Sequence, residues 1–271
     1  MRSTTVVFCA VDNLIRATGK ALTGFAEFLE RLSEAGIPLV PVSNRGRLEL
    51  DAAIRKLGLH HPFIAEGGCG VYLPEDYFHL KPPRTARMGR FTCIPEAAAQ
   101  PAAEEMLETL AEETGIEVVA LRGLSPRELA QNAGLPQREA ELQRQRDFDE
   151  VFFFAGASDE DVKRFRQAAV EKKARVRPRG TLWSLAVGAN LTACVRDLSQ
   201  LYQRSLRANT LRVGIATSDE AEELFPACDR CLWLAERDEE PLAAVTKCQS
   251  VPLFSPETWR SALEAIRDRQ L

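Results

Sequence analysis

Val6-Val7-Phe8-Cys9-Ala10-Val11-Asp12-Asn13-Leu14-Ile15 runs through six apolar residues before it meets a carboxylate. A half-exposed strand alternates apolar and polar residues. An unbroken apolar run is what a strand covered on both faces carries, as in a parallel sheet between layers of helices. The residues downstream agree. Leu22, Phe25, Leu29 and Leu32 recur at helical spacing, and Gly36 is placed to end that helix. Ile37–Val42 reads as a second strand, and Leu50, Ile54 and Leu57 mark a second helix stopped by Gly58. Phe63–Ala65 and Val71–Leu73 are short strands around Gly67-Gly68-Cys69-Gly70, which is no dinucleotide fingerprint because no helix follows it. Strands and helices alternating at this spacing imply right-handed βαβ units, a parallel sheet and an α/β fold.

A break follows at Lys81-Pro82-Pro83-Arg84, and the pattern changes. Phe91–Ile94 reads as a strand, Ala97–Glu113 as a helix and Ile116–Leu121 as a strand. Ser125-Pro126-Arg127-Glu128 has the form of a capping box with Pro at the first helical position. Val151–Phe154 is another strand, and Ser158 caps a helix to about Lys172. The parallel-sheet pattern is expected to resume with the strand Leu182–Val187, the helix capped by Asn190, the strand Leu211–Ala216, the helix Asp219–Phe225 and the strand Cys231–Ala235. Ser255-Pro256-Glu257 opens a last helix carrying Trp259, Leu263 and Ile266 on one side. The expected organisation is a core of residues 1–82 and 181–271 interrupted by an α+β insert, 83–180.

The 271 residues are 45% hydrophobic and 27% charged, enough for a sizeable buried core. A net charge of −4 gives no global attraction to nucleic acid or anionic membranes. No apolar run approaches the ~20 residues of a membrane span, so no membrane association is expected. Seven cysteines, an odd number, read as reduced thiols of a cytoplasmic protein. Cys228-x-x-Cys231 has no second pair to complete a zinc site, and its role stays open. His60-His61 lacks a visible metal partner and reads as structural or solvated. The run Lys172-Lys173-Ala174-Arg175-Val176-Arg177-Pro178-Arg179 reads as a solvated edge, with phosphate or nucleic-acid binding as the alternative.

Several motifs carry a resemblance. Leu124-Ser125-Pro126-Arg127-Glu128-Leu129, Gly134-Leu135-Pro136, Glu139-Ala140-Glu141 and Arg146-Asp147-Phe148-Asp149-Glu150 are similar to the cap signature of the mannosyl-3-phosphoglycerate phosphatases, a branch of the haloacid dehalogenase (HAD) superfamily. Val42-Ser43-Asn44-Arg45-Gly46-Arg47-Leu48-Glu49 resembles that family's second motif. Pro62-Phe63-Ile64-Ala65-Glu66-Gly67-Gly68 resembles its Glu-Asn-Gly segment, and Pro256-Glu257-Thr258-Trp259 its C-terminal Pro-Glu-Gly-Trp. The resemblance implies an HAD-like Rossmannoid core with a parallel sheet and an inserted cap. It also implies a chemistry: an Asp nucleophile at the end of the first strand, and a second Asp two residues on as acid/base. A Ser or Thr and a Lys steady the transferring oxygens, and carboxylates hold Mg²⁺.

The chain departs from this pattern where the chemistry is most demanding. Ala10 stands at the nucleophile position, while Asp12, the acid/base, is kept. Cys9 is no substitute, because adjacent strand residues point to opposite faces. Leu191 takes the place of the third-motif Lys, and Thr217 and Ala221 those of the two metal-binding Asp residues. Asp219 and Glu220 are nearby, but a helical offset aims them elsewhere unless the register slips. Gly67 replaces an Asn, and Thr181 and Ser184 replace an Arg and a His of the substrate hairpin. Ser43, Arg45, Glu66, Arg146 and Glu150 remain as candidate ligand-binding residues. Arg146 with Glu150 also reads as an ion pair within the cap, and Ser43 with Arg45 as an ordinary surface loop. With Asp12 as the one retained metal-site carboxylate, no cofactor is expected, or Mg²⁺ if activity remains. The expectation is a phosphatase-fold protein that has lost catalysis and holds a phosphorylated sugar, another small anion or a protein partner in its core–cap cleft. Two alternatives stay open: a Mg²⁺-dependent phosphatase of a phosphorylated sugar acid with a non-standard site, and nucleic-acid binding through the basic cap edge.

Overall fold

The computed structural model describes residues 3–16, 19–80, 82–133, 136–236, 239, 245 and 248–267. Gly134 and Leu135 of the cap signature lie outside these, as do the side chains of Glu139 and Asp219.

The chain begins with β1 (Ser3–Ala10), α1 (Phe25–Glu34), β2 (Leu39–Val42), α2 (Arg47–Arg55), β3 (Phe63–Ala65) and β4 (Gly70–Pro74). It continues through β5 (Ala86–Met88), β6 (Phe91–Pro95), α3 (Gln100–Thr114), β7 (Val118–Ala120), α4 (Pro126–Ala133) and α5 (Gln137–Arg144). Next come β8 (Glu150–Phe154), α6 (Asp159–Glu171), β9 (Ala174–Arg179), β10 (Leu182–Val187) and α7 (Leu191–Leu206). The last elements are β11 (Asn209–Ala216), α8 (Ser218–Leu224), β12 (Arg230–Ala235), β13 (Gln249–Pro252) and α9 (Thr258–Arg267).

Two sheets organise these elements. The larger has nine strands in the order β13-β12-β11-β1-β2-β3-β4-β6-β5. It is parallel from β13 to β3 and antiparallel beyond. The smaller, β7-β8-β10-β9, is antiparallel throughout. β1 is central and covered on both faces, as its sequence requires. Val7, Cys9 and Val11 pack with Phe25, Phe28 and Trp259 of α1 and α9. Val6, Phe8 and Ala10 pack on the other face, with Val195, Leu198 and Leu224 of α7 and α8. The cap core gathers Leu107, Leu110, Phe152, Phe165 and Leu185.

The expected boundaries at 83 and 181 need correction. β5 and β6 return antiparallel onto β4 and extend the larger sheet, so the crossing into the cap follows Pro95. Leu182–Val187 does not resume the parallel sheet; as β10 it pairs antiparallel with β8 and β9, so the return follows Val187. The apolar run 182–187 marks a buried strand but does not say which sheet buries it, and the Pro-rich break marks a loop rather than a change of layer.

Local signals set the helix ends that matter for the cleft. Asn190 accepts a hydrogen bond from the Ala193 amide (2.9 Å) and starts α7 beneath β1. Ser125 and Glu128 form their reciprocal capping box, as do Ser158 and Asp161. Between β3 and β4 the chain turns through three consecutive left-handed residues: Glu66 (φ 52°), Gly67 (φ 59°) and Gly68 (φ 90°). A Cβ on Gly68 would stand 2.6 Å from the backbone of Leu191, so this turn sits directly against the start of α7.

Gly68→Ala is expected to cost about 2–4 kcal/mol in urea unfolding, from left-handed backbone plus the clash. Gly58→Ala, at φ 70° but in open space, is expected to cost only about 1 kcal/mol. Equal losses would show that the close approach to α7 carries no weight.

Candidate functional site

The strand ends of the larger sheet put the motif positions together, and where the resemblance expects charge they are apolar. Ala10 is 2% exposed and belongs to one apolar cluster with Leu191 and Ala221. The positions of the nucleophile, the Lys and a metal-binding Asp thus form a single greasy patch. Cys9 points to the opposite face of the sheet, where burial pushes its thiol well above the usual range. It does not reach the site.

Asp12, the retained acid/base, is held firmly. Val42 lies beside Ala10 in register, so Ser43 and Asn44 are the first residues off the neighbouring strand. The Ser43 hydroxyl donates to Asp12 Oδ1, and the Asn44 amide donates to Asp12 Oδ2 at 2.7 Å. Arg45 is 8% exposed. Its Nη2 donates to the carbonyls of Ile15 and, at 3.4 Å, Asp12; its Nε lies 3.4 Å from Glu49 Oε1. Its Nη1 is buried without a hydrogen-bond partner. Ser43–Arg45 is therefore a buried loop at the cleft floor, not a solvated one.

The cap supplies the roof. Arg175, Arg177 and Arg179 alternate along β9, so all three share one face of the strand. Arg175 and Arg177 approach Glu223 of α8 at 2.7 and 2.9 Å, and Arg179 donates to Glu49 of α2 at 2.8 Å. Arg177 also donates to the Gly67 carbonyl. Its Nη2 makes the ion pair off the hydrogen-bonding direction, so Nε, Nη2 and the Nη1 of Arg179 have no hydrogen-bond partner. Here Gly67 finds its reason: a Cβ there would collide with the Arg177 guanidinium and come within 2.7 Å of Asn44 Oδ1. The basic run is thus a solvated edge only in part: Lys173 is exposed, Arg175 is partly exposed and Lys172 pairs with Glu113 at 2.8 Å, while Arg177 and Arg179 turn into the cleft.

Floor and roof enclose a cavity of about 600 Å³, between Ala10, Asp12 and Ser43 on one side and Arg177 and Arg179 on the other. Glu220 also lines it, against the expectation that its offset would aim it elsewhere, and accepts a hydrogen bond from Thr217 at 3.2 Å. Gln143 of α5 adds a buried Oε1 with no partner. Gln143 and Glu223 were not singled out from sequence, and Arg177 and Arg179 only within the basic run, whose every-second-residue arginines were the available signal.

The other candidates form a latch beside the cavity. Glu66, 2% exposed, accepts from the backbone amides of Asp147 (3.0 Å), Phe148 (2.8 Å) and Asp149 (2.9 Å). Arg146 pairs with Asp149, at 2.8 Å from Nη2, and donates to the Asn44 carbonyl at 2.7 Å. The expected Arg146–Glu150 pair is not made. Glu150 faces into the cap, where Gln100 donates to it and Arg122 lies 3.9 Å away, because neighbouring strand residues diverge. Of the five retained candidates, Ser43 and Arg45 line the cavity, while Glu66, Arg146 and Glu150 do not. Burial and the nearby Asp149 push the Glu66 carboxyl up to about 8, against the pull of Arg146 and the backbone amides.

The residues present do not fit the Mg²⁺ of the superfamily chemistry. Ala10 and Ala221 offer no oxygen side chain, and the Thr217 hydroxyl is engaged with Asn13 and Glu220. Both oxygens of Asp12 are occupied, and its carbonyl faces the Arg45 guanidinium. Among the described residues no group of three or more His, Cys, Asp or Glu could hold a metal ion. All seven cysteines are free, Cys228 and Cys231 lying by the carbonyls of Leu224 and Phe225. His61 bonds Tyr77 at 2.7 Å. No described helix is long and apolar enough to cross a membrane.

No family model matches the chain. Protein 0175 of Thermoplasma acidophilum superposes with a TM-score of 0.67 at 14% identity, covering 98% of this chain and 99% of that one. A haloacid dehalogenase-like hydrolase from B. subtilis gives 0.62 at 12% identity, covering 92% and 94%. The parallel sheet, the inserted antiparallel sheet and the motif positions at the strand ends define a protein of the HAD superfamily. A glucosyl-3-phosphoglycerate/mannosyl-3-phosphoglycerate phosphatase of Methanococcoides burtonii is 24% identical over 242 residues, 87% of this chain and 86% of that protein. The mannosyl-3-phosphoglycerate phosphatase of Pyrococcus furiosus is 21% identical over 223 residues, 82% and 88% respectively. The chain is a distant homologue of these glucosyl- and mannosyl-3-phosphoglycerate phosphatases over most of its length.

Two outcomes test this geometry. Ala10→Asp is expected to destabilise the protein by about 3 kcal/mol in urea, since it buries a carboxylate in an apolar cluster. Millimolar Mg²⁺ should not recover the loss; recovery would reveal a cation site. Glu66→Gln turns an amide NH₂ toward a buried backbone N–H and is expected to cost about 2 kcal/mol at acid pH. A folded value of about 8, raised from 4.5, means that protonated Glu66 favours folding. That contribution is complete below about 4.5 and lost as pH rises through about 8, so the gap to the variant should narrow over this range. A gap that widens with pH would contradict the assignment.

Proposed function

We propose that this chain is a non-hydrolysing relative of the glucosyl- and mannosyl-3-phosphoglycerate phosphatases that holds a small anionic ligand in its core–cap cavity. One observation carries the reading. Arg45, Arg177 and Arg179 line a cavity whose catalytic positions are apolar, and each keeps a buried guanidinium nitrogen without a hydrogen-bond partner, Arg177 while its Nη2 also lies 2.9 Å from Glu223. Buried unpartnered donors are costly and rare in native proteins, and an anion in the cavity would draw these side chains toward it and remove the cost. The nucleophile position of the superfamily, in contrast, carries no nucleophile: the Ala10 methyl cannot attack phosphorus, and Cys9 faces away.

The cavity volume of about 600 Å³ suits a sugar acid, within the about 300–1,000 Å³ usual for small-molecule sites. The relatives' names point to a related ligand class, a hexose joined to a 3-phosphoglycerate. Binding would need no metal. Seven free thiols agree with a reducing, cytoplasmic setting. The nucleic-acid alternative has less support, since Lys172, Arg175, Arg177 and Arg179 each face a carboxylate.

The purified chain is expected to show no turnover of p-nitrophenyl phosphate with Mg²⁺, and Ala10→Asp alone should not create it while Leu191, Thr217 and Ala221 remain. Turnover by the unaltered chain that disappears in Asp12→Asn would replace this reading with that of a phosphatase using a non-standard site.

A further inference from the structure

We infer that Cys231 and Cys248 form a reversible disulfide site, closed by exchange with a small disulfide such as oxidised glutathione, that ties the edge strand β13 to β12. Neither residue lines the core–cap cavity, so this stands apart from the binding reading above.

Strand register brings the two thiols together. β12 and β13 run parallel with Leu232 opposite Gln249, so Cys231 and Cys248 are the next pair back. Neighbouring strands lie about 4.8 Å apart, inside the span of about 4.4–6.8 Å that a disulfide bridges between Cα atoms. Both side chains pack on the same face of the sheet, against the cluster that holds Trp233 and Val245. The Cys231 thiol donates a hydrogen bond to the Cys248 sulfur.

Cys228, the sequence neighbour in Cys-x-x-Cys, is turned elsewhere. Gly214 of β11 is in register with Cys231 on the side away from β13. A Cβ on Gly214 would stand 2.9 Å from Cys228 Sγ, so that sulfur fills the space a side chain there would take. The Cys228 thiol also donates to the Leu224 carbonyl at 3.4 Å. Cys231 is thus flanked by Gly214 and the Cys228 sulfur on one side and by Cys248 on the other.

Access narrows the choice further. Cys9, Cys69, Cys93 and Cys194 are buried, while Cys228, Cys231 and Cys248 are half-buried. Burial pushes the Cys231 thiol up to about 12, and Cys248 adds to the rise. Burial also raises the Cys248 thiol, but the hydrogen bond from Cys231 pulls the other way. Cys248 therefore supplies the attacking thiolate. It attacks one sulfur of the small disulfide, whose S–S bond breaks, and the first glutathione leaves and takes up the proton that Cys248 gave. Cys231 then loses its proton and attacks the Cys248 sulfur of the mixed disulfide. The second glutathione leaves with that proton. The protein pair is oxidised by two electrons, and one glutathione disulfide becomes two thiols. The raised thiols make the exchange slow, so the redox poise at equilibrium decides the state.

The bond acts where the sheet is least supported. β13 is the edge strand, with β12 its one neighbour among the described strands. A crosslink at its start holds that edge closed and slows its local opening.

The test is equilibration of the full chain in glutathione redox buffers, then acid quench, alkylation and mass mapping of unreduced peptides. Two of the seven thiols are expected to be lost, with Cys231 joined to Cys248, and dithiothreitol should restore both. In the oxidised chain the β13 amides should exchange hydrogen at least about tenfold more slowly. Cys231→Ser should leave Cys248 as a mixed disulfide with glutathione. A Cys228–Cys231 bond as the main product overturns the inference. So does a folded chain that keeps all seven thiols in the oxidising buffer, or β13 exchange that is unchanged once the bond has formed.

Discussion

Three successive backbone N–H groups, of Asp147, Phe148 and Asp149, meet one acceptor side chain, Glu66. Glu66 stands on the left-handed turn between β3 and β4, and the three amides belong to the segment that leads into β8. This one contact fixes the smaller sheet over the strand ends of the larger. Arg47 and Tyr72 hold the Asp147 carboxylate at 2.7 and 2.8 Å, and Arg146 reaches from the same segment to the Asn44 carbonyl. With the cap seated this way, β9 lies above the cleft and Arg177 rests on Gly67. The cavity is what remains between a roof and a floor that cannot separate without exposing this network.

Within that frame the positions that the superfamily chemistry uses pack as one unit. A carboxylate nucleophile, a second carboxylate and a lysine hold one another in check with the help of a cation. Removing one alone would leave the others as uncompensated charges in a closed space. Here Ala10, Leu191 and Ala221 pack together, Thr217 is absorbed into hydrogen bonds with Asn13 and Glu220, and Asp12 is neutralised by Ser43, Asn44 and Arg45. Charge gathers toward the cap side, where arginines of β9 and glutamates of the core pair across the cleft.

Much of this was legible in the sequence, for identifiable reasons. The apolar run at Val6–Val11 fixed a central strand, because only a strand covered on both faces tolerates it. Alternation along that strand separated Cys9 from Ala10, and the two do occupy opposite faces. Capping residues Ser125, Ser158 and Asn190 placed helix starts, since such signals act within one turn. What was not legible depends on distant partners. Leu182–Val187 is apolar whichever sheet buries it, and it went to the cap. Glu66 matched a family motif, but its task is to grip backbone amides, which have no sequence signature. The basic run of β9 reads as solvated by composition; its every-second-residue spacing held the contrary signal, and only the seating of the cap turns that face inward.

The proposed function rests on strand ends that do not hold a divalent cation. A titration of the chain with Mn²⁺, followed by the electron paramagnetic resonance signal of the free ion, addresses this without substrate or turnover. The account predicts that the free-ion signal grows as it does in buffer alone, with no loss at millimolar protein. Stoichiometric loss of that signal in the unaltered chain, restored by Asp12→Asn, would contradict it.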